Sequence, residues 1–139
     1  MKRNTETTLI ARAFRNWSCT YLLKNREMSP HSHRAYVEAL TLFFIFLMEE
    51  REIKPQNLSA RCFEVSVIES WIQWLKETRK CSSASCNHRL SCLRSFLGFL
   101  SSQEPQFMEF YLQARNIKPL RVPKKAHEEI SQDAIQSFF

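Results

Sequence analysis

The chain alternates apolar, helically spaced stretches with short polar breaks. From Thr8 onward Ile10, Phe14, Trp17 and Tyr21 recur at spacings of four and three, which lays them along one helical face. This first helix is predicted to end near Glu27, and Leu9, Leu22 and Leu23 fall off its inner face. Ser29-Pro30 opens the second helix, because Ser offers an N-cap oxygen and Pro in the first turn loses no needed N–H. There Tyr36, Val37, Leu40, Phe43, Phe44 and Leu47 share one broad arc, opposite His31, Arg34, Glu38, Thr41 and Glu49. Leu42, Ile45 and Phe46 widen the apolar arc, so this helix is expected at the centre of the core, stopping near Glu52. Lys54 to Arg61 reads as a connector. A third helix is predicted from Glu64 to Arg79, with Val67, Ile68, Trp71, Trp74, Leu75 and Thr78 inward. A fourth covers Ser83 to Ser102, striped by Leu90, Leu93, Phe96, Leu97 and Leu100. Asn87, Ser91, Arg94 and Gly98 line its far side, flanked by His88 and Ser95. Glu104-Pro105 opens a short helix to Arg115, anchored by Phe107, Phe110 and Tyr111.

The ends read differently. Residues 1–7 are polar and expected to fray, leaving 8–115 as one helical domain. Residues 116–127 carry Lys118, Arg121, Lys124 and Lys125 with two prolines, which predicts an extended basic linker. Ser131 then precedes Ala134, Ile135, Phe138 and Phe139, so residues 128–139 read as the opening element of a further domain.

Length and composition narrow the class. A chain of 139 residues fits one ordinary domain and buries roughly 68–70% of its unfolded surface without a staple. It has a single Gly, too few for the turns of an all-β sandwich or for a phosphate-cradling glycine loop. The expected fold is all-α: four helices and a short fifth, with an extended C-terminal linker. Five cysteines, an odd number at irregular spacings, follow no apolar leader, which points to free thiols in a reducing, cytoplasmic setting. No apolar run is long enough to span a bilayer.

Catalytic patterns are not evident. There is no G-x-S-x-G, H-E-x-x-H or protein-kinase signature. His88 and Cys92 are four apart, near Cys81 and Cys86, but the second C-x(2–4)-C pair of a structural zinc site is missing, so no metal is expected. His31 and His33 point about 200° apart on a helix. Glu49, Glu50 and Glu52 sit beside Arg51 and Lys54 and read as a solvated face. No cofactor or small-molecule substrate is implied.

Charge is the remaining lead. Lys and Arg number 20 against 14 Asp and Glu, a net charge of +6, which favours an anionic partner. The second helix starts with His31, His33 and Arg34, and the turn into the fourth carries Arg79 and Lys80 ahead of Asn87, His88, Arg89 and Arg94. Two helices presenting such groups from their N-terminal halves suit a DNA groove, where Arg reads guanine, Asn reads adenine, and Ser or Thr holds phosphate. Arg89 lies near the apolar stripe and is as well placed to pack inward.

Two runs resemble a known family. Met28-Ser29-Pro30-His31-Ser32-His33-Arg34-Ala35-Tyr36, continued by Leu40, Phe43 and Phe46-Leu47, is similar to the "S-P-x-T-x-x-x-Y" helix of tyrosine recombinases of the phage-integrase type. Cys81 to Leu97 resembles that family's "T-x-N-x-R-L-x-x-L-R-x-F-F" run, with Ser85 in the Thr position. The resemblance covers about Thr8 to Arg115. It implies the N-terminal core-binding domain, a compact four- to five-helix orthogonal bundle of the SAM-like kind forming half of a clamp on double-stranded DNA, with first and last helices available for protomer contacts. By position it makes His31, Arg34, Thr41, Asn87, His88, Ser91 and Arg94 the DNA-facing candidates, with Arg79 and Lys80 near phosphates. Lys118, Arg121, Lys124 and Lys125 are candidates for backbone contacts from the linker. It also implies that the strand-cleaving residues belong to a catalytic domain outside this chain, so no catalytic residue is assigned.

Two other classes stay open. A helical protein-interaction module would use Leu9, Leu22, Leu23 and the apolar chain end. A thiol or zinc enzyme would need bound metal or an acidic thiol.

Overall fold

Two serines set where the long helices begin. The computed structural model describes residues 5–123. Ser29 Oγ accepts from the Ser32 N–H at 3.2 Å, opening α2 (Pro30–Arg51) with Pro30 in its first turn. Ser82 Oγ accepts from the Ser85 N–H at 3.1 Å and opens α4 (Ser83–Gln103). The other helices are α1 (Thr5–Asn16), α3 (Val65–Glu77) and α5 (Met108–Arg115). Short 3₁₀ turns lie at Pro55–Asn57, Ala60–Phe63 and Pro105–Phe107. The described residues hold no strand, so the chain is an all-α bundle. α4 is its centre and packs against α1, α2, α3 and α5.

Aromatic side chains fill the space around α4. Phe43 stacks on Phe63 with centroids 5.7 Å apart and meets Trp71 edge-on at 5.2 Å. Trp17 meets Phe96 edge-on at 5.4 Å, and its indole donates to Ser95 Oγ at 3.3 Å. Fully burying a side chain of this kind stabilises the fold by about 1.5–3 kcal/mol, and truncating one to Ala costs about 3–5 kcal/mol. The predicted stripe of α4, Leu90, Leu93, Phe96, Leu97 and Leu100, is buried throughout.

The first helix departs from simple periodicity. α1 continues as a π-helix from Trp17 to Asn25. A π turn closes on the fifth residue rather than the fourth, so Leu22 comes to lie below Trp17. Both are fully buried, whereas a 3.6-residue period leaves Leu22 off the inner face. Leu9 also packs against the core, and Leu23 alone of the three is exposed, at 42%. The widened turn is tied to α2, where His33 Nε2 lies 2.7 Å from the Ser18 carbonyl oxygen.

Other boundaries move for identifiable reasons. Thr5 to Thr7 are helical, not frayed: Thr7 Oγ1 donates to the Leu58 carbonyl at 2.6 Å, and Glu6 Oε1 accepts from the Ala60 N–H at 3.0 Å. Those contacts also order the connector, whose Leu58 and Ala60 are buried. Thr78 is exposed because α3 stops at Glu77, while Ile72 is buried in its place. Past α5 the described residues 117–123 form no regular element, but Ile117 is buried and Leu120 packs on the core. Lys124, Lys125 and residues 126–139 lie outside the described residues.

Three helical stretches end alike. Glu27, Glu52 and Lys80 each adopt positive φ, at 48°, 56° and 59°. The following N–H reaches back six residues each time: Met28 to Leu22, Ile53 to Leu47 and Cys81 to Leu75, at 3.0, 2.9 and 2.9 Å. These are Schellman closures, and the residue after each left-handed position packs against the core.

Candidate nucleic-acid interface

α2 and α4 lie against each other, and their N-terminal halves share one groove. Ala35 and Glu38 of α2 face Ala84, Ser85, His88 and Arg89 of α4 across a groove of about 250 Å³. The Tyr36 ring meets the His88 imidazole edge-on with centroids 6.0 Å apart. On α2 the outer positions His31, Arg34 and Thr41 are exposed. Thr41 donates its hydroxyl hydrogen to the Val37 carbonyl at 2.9 Å, which leaves the hydroxyl as an acceptor. On α4 His88 and Ser91 are exposed.

Arg79 and Lys80 are exposed in the turn that leads into α4. The Arg79 guanidinium lies over the Trp74 ring at 5.5 Å. Stacking of this kind limits where the planar fork can go and leaves its N–H edges free for in-plane acceptors such as phosphate oxygens. Lys80 holds the left-handed stop of α3, so its backbone is set by helix closure. Lys76 Nζ donates to Ser83 Oγ at 3.0 Å across the same turn.

Asn87 and Arg94 point elsewhere. The Asn87 side chain pairs with the backbone of Leu120 in both directions: Nδ2 donates to the carbonyl at 2.9 Å, and Oδ1 accepts from the N–H at 2.7 Å. Arg94 Nε donates to the Ala114 carbonyl at 2.9 Å, and Nη2 donates to the Ile117 carbonyl. Burial lowers the Arg94 pKa from its ordinary value, though not enough to neutralise a guanidinium at pH 7. Periodicity had correctly turned these side chains from the apolar stripe. It could not show that α5 and the chain after it cover that side.

Burial disfavours the thiolate form of two of the clustered cysteines. Burial pushes the Cys92 thiol up to about 12 and raises Cys86 as well, the latter aided by nearby Cys81. Arg89 Nη1 lies 3.1 Å from Cys81 Sγ, so Arg89 turns toward the bundle rather than outward. His88 Nδ1 and Cys92 Sγ are 3.8 Å apart. Among the described residues no cluster of three or more His, Cys, Asp or Glu could hold a metal, and no helix is long and apolar enough to cross a membrane.

An all-α bundle built around a central α4, with two polar helix starts side by side, defines the class. The chain belongs to the phage-integrase N-terminal SAM-like domain family, whose model matches residues 19–104. A Sinorhizobium fredii protein named "Putative integrase/recombinase y4rD" is 27% identical over 128 residues, covering 91% of this chain and 44% of that protein. The chain thus spans less than half the length of this relative. No solved structure gives a significant match.

Proposed function

We propose that this chain grips double-stranded DNA as the N-terminal domain of a site-specific tyrosine recombinase. The observation that carries the reading is the pairing of α2 and α4. Their N-terminal halves share one groove, and exposed His31, Arg34, His88 and Ser91 stand on the helices beside it. Arg79 and Lys80 extend the basic surface at the entry to α4, and the chain carries a net charge of +6. Lys118 and Arg121, exposed beyond α5, add further cations. In this reading Lys and Arg supply most of the affinity through phosphates, while His31, His88, Ser91 and Thr41 are the side chains available to base edges or backbone oxygens. Asn87 and Arg94 support the surface from behind.

Strand cleavage is assigned to residues beyond those matched here, in keeping with a relative more than twice as long as this chain. The protein-interaction alternative loses two of its supports, since Leu22 is fully buried and Leu9 packs on the core.

Titration of a labelled duplex at increasing salt tests the proposal. Contact with about four phosphates lowers affinity roughly a hundredfold between about 50 and about 200 mM salt. A flat response, or no binding at low salt, overturns it.

A further inference from the structure

Asn87 and Arg94 stand seven residues apart on α4, two turns and about 10 Å along one side of the helix. Between them they hold the Ala114 carbonyl in the last turn of α5 and three backbone groups of the segment that follows it: the carbonyls of Ile117 and Leu120, and the Leu120 N–H. All four contacts are to main chain, so they fix a path and not a side-chain identity. The segment's other anchors are the burial of Ile117, the packing of Leu120 on the core and the Ile117 N–H, which donates to the Ala114 carbonyl at 3.2 Å. Pro119 and Pro123 lack the N–H groups that would continue a helix or pair a strand, and no regular element follows Arg115 among the described residues. A free tether of five residues, from Asn116 to Leu120, wanders by about 12 Å. Ile117 buried in the core and Leu120 held by Asn87 remove that freedom. Of the exposed cations of the segment, Lys118 lies within the held stretch, between Ile117 and Leu120, and Arg121 directly follows it.

We propose that Asn87 and Arg94 are positioning residues, a two-point clasp by which α4 aims the basic segment after α5 so that Lys118 and Arg121 join the duplex grip. The proposal rests on the DNA-binding reading above. It differs from direct base contact by these two side chains, because the clasp acts through cations more than twenty residues further along the chain.

Amide hydrogen exchange on the DNA-free full chain tests the clasp itself. The Leu120 N–H is expected to exchange at least about tenfold more slowly than that of Val122. The protection is expected to vanish in Asn87→Ala while the amide of Phe96, inside α4, stays protected. A Leu120 amide that exchanges as freely as Val122 in the unaltered chain overturns the clasp.

Duplex titration against salt then tests what the clasp does. The double variant Lys118→Gln/Arg121→Gln is expected to lower the magnitude of the salt slope by about 2, and Asn87→Ala by about 1–2. Adding Asn87→Ala to the double variant is expected to change nothing more. Fully additive losses overturn the proposal in favour of direct contact by Asn87. A chain that binds duplex with an unprotected Leu120 sinks the clasp alone. One that protects Leu120 yet binds no duplex sinks the DNA-binding reading, and the clasp's role in grip with it.

Discussion

Gly98 lies against Tyr111, so close that a methyl group on Gly98 would stand 3.2 Å from the Tyr111 ring carbon Cε1. This is the chain's single glycine, and its use is to let α5 approach α4. Two effects oppose each other on substitution. Alanine in a helix interior gains about 0.8–1 kcal/mol over glycine, while the contact requires the half-buried Tyr111 ring to give by a few tenths of an ångström. Gly98→Ala is therefore expected to lie within about 1 kcal/mol of the parent. Gly98→Val adds two branches against the same ring and is expected to destabilise by about 2–3 kcal/mol. Urea midpoints of the two variants check the split, and equal destabilisation by both would contradict the contact.

The left-handed stop at Glu52 predicts a stabilising change. A non-glycine residue there carries a steric penalty of about 1–2 kcal/mol, partly offset by glycine's larger unfolded-state entropy. Since φ at Glu52 is 56° and the side chain is exposed, Glu52→Gly is expected to raise stability by about 0.5–1 kcal/mol, read as a rise in Tm. A fall in Tm would show that the Glu52 side chain contributes more than its backbone strain removes.

Stability should decline on the alkaline side. Burial holds the folded Cys92 thiol at about 12 against an ordinary value of 9.0. Above pH 9 the unfolded chain gives up this proton before the folded one does, so folding loses stability as pH rises through the window between those values. The Cys92 contribution is fully present below pH 9 and has a slope of up to about 1.4 kcal/mol per pH unit above it. Cys86, raised by burial in the same direction, adds to the decline. Chemical denaturation at pH 7 and pH 10.5 measures the slope. Cys92→Ala is expected to flatten it, and an unchanged slope would assign it to other groups.

Glu38 sits in the shared groove of α2 and α4 beside His88 and Arg89. An exposed carboxylate there opposes a phosphate backbone, and removing an exposed charge changes such an interaction by about 0.5–1 kcal/mol. Glu38→Gln is expected to tighten duplex binding about two- to fivefold, and Arg34→Ala to weaken it across all sequences. Indifference of both variants in a duplex titration would place the DNA elsewhere on the bundle.

The residues differ in how openly they announced their roles. Ser29-Pro30 states a helix start in local chemistry, and the structure begins α2 there with the expected cap. The α4 stripe was legible because five large apolar residues at 3.6-residue spacing admit one inward side. Leu22 was not, since the lengthened turn that buries it depends on how α1 meets α2 and α4. Asn87 and Arg94 show the limit most clearly for the site. Their spacing gave the direction they face, but a direction on a helix does not say whether water, DNA or another stretch of the same chain lies there. That depended on the backbone of Ile117 and Leu120, which the two side chains meet, and on Ile117, one apolar residue buried within a proline-containing basic run.

The π-helix from Trp17 to Asn25 has a consequence of its own. Each of its turns closes over one residue more than an α turn, so the first helix carries slack that the others lack. Exposed Thr20 could be deleted there, letting the coil tighten without re-aiming Met28 and everything after it. The same deletion inside α4 would rotate every later side chain by about 100° and turn the buried stripe of Leu90, Leu93, Phe96, Leu97 and Leu100 out of the core.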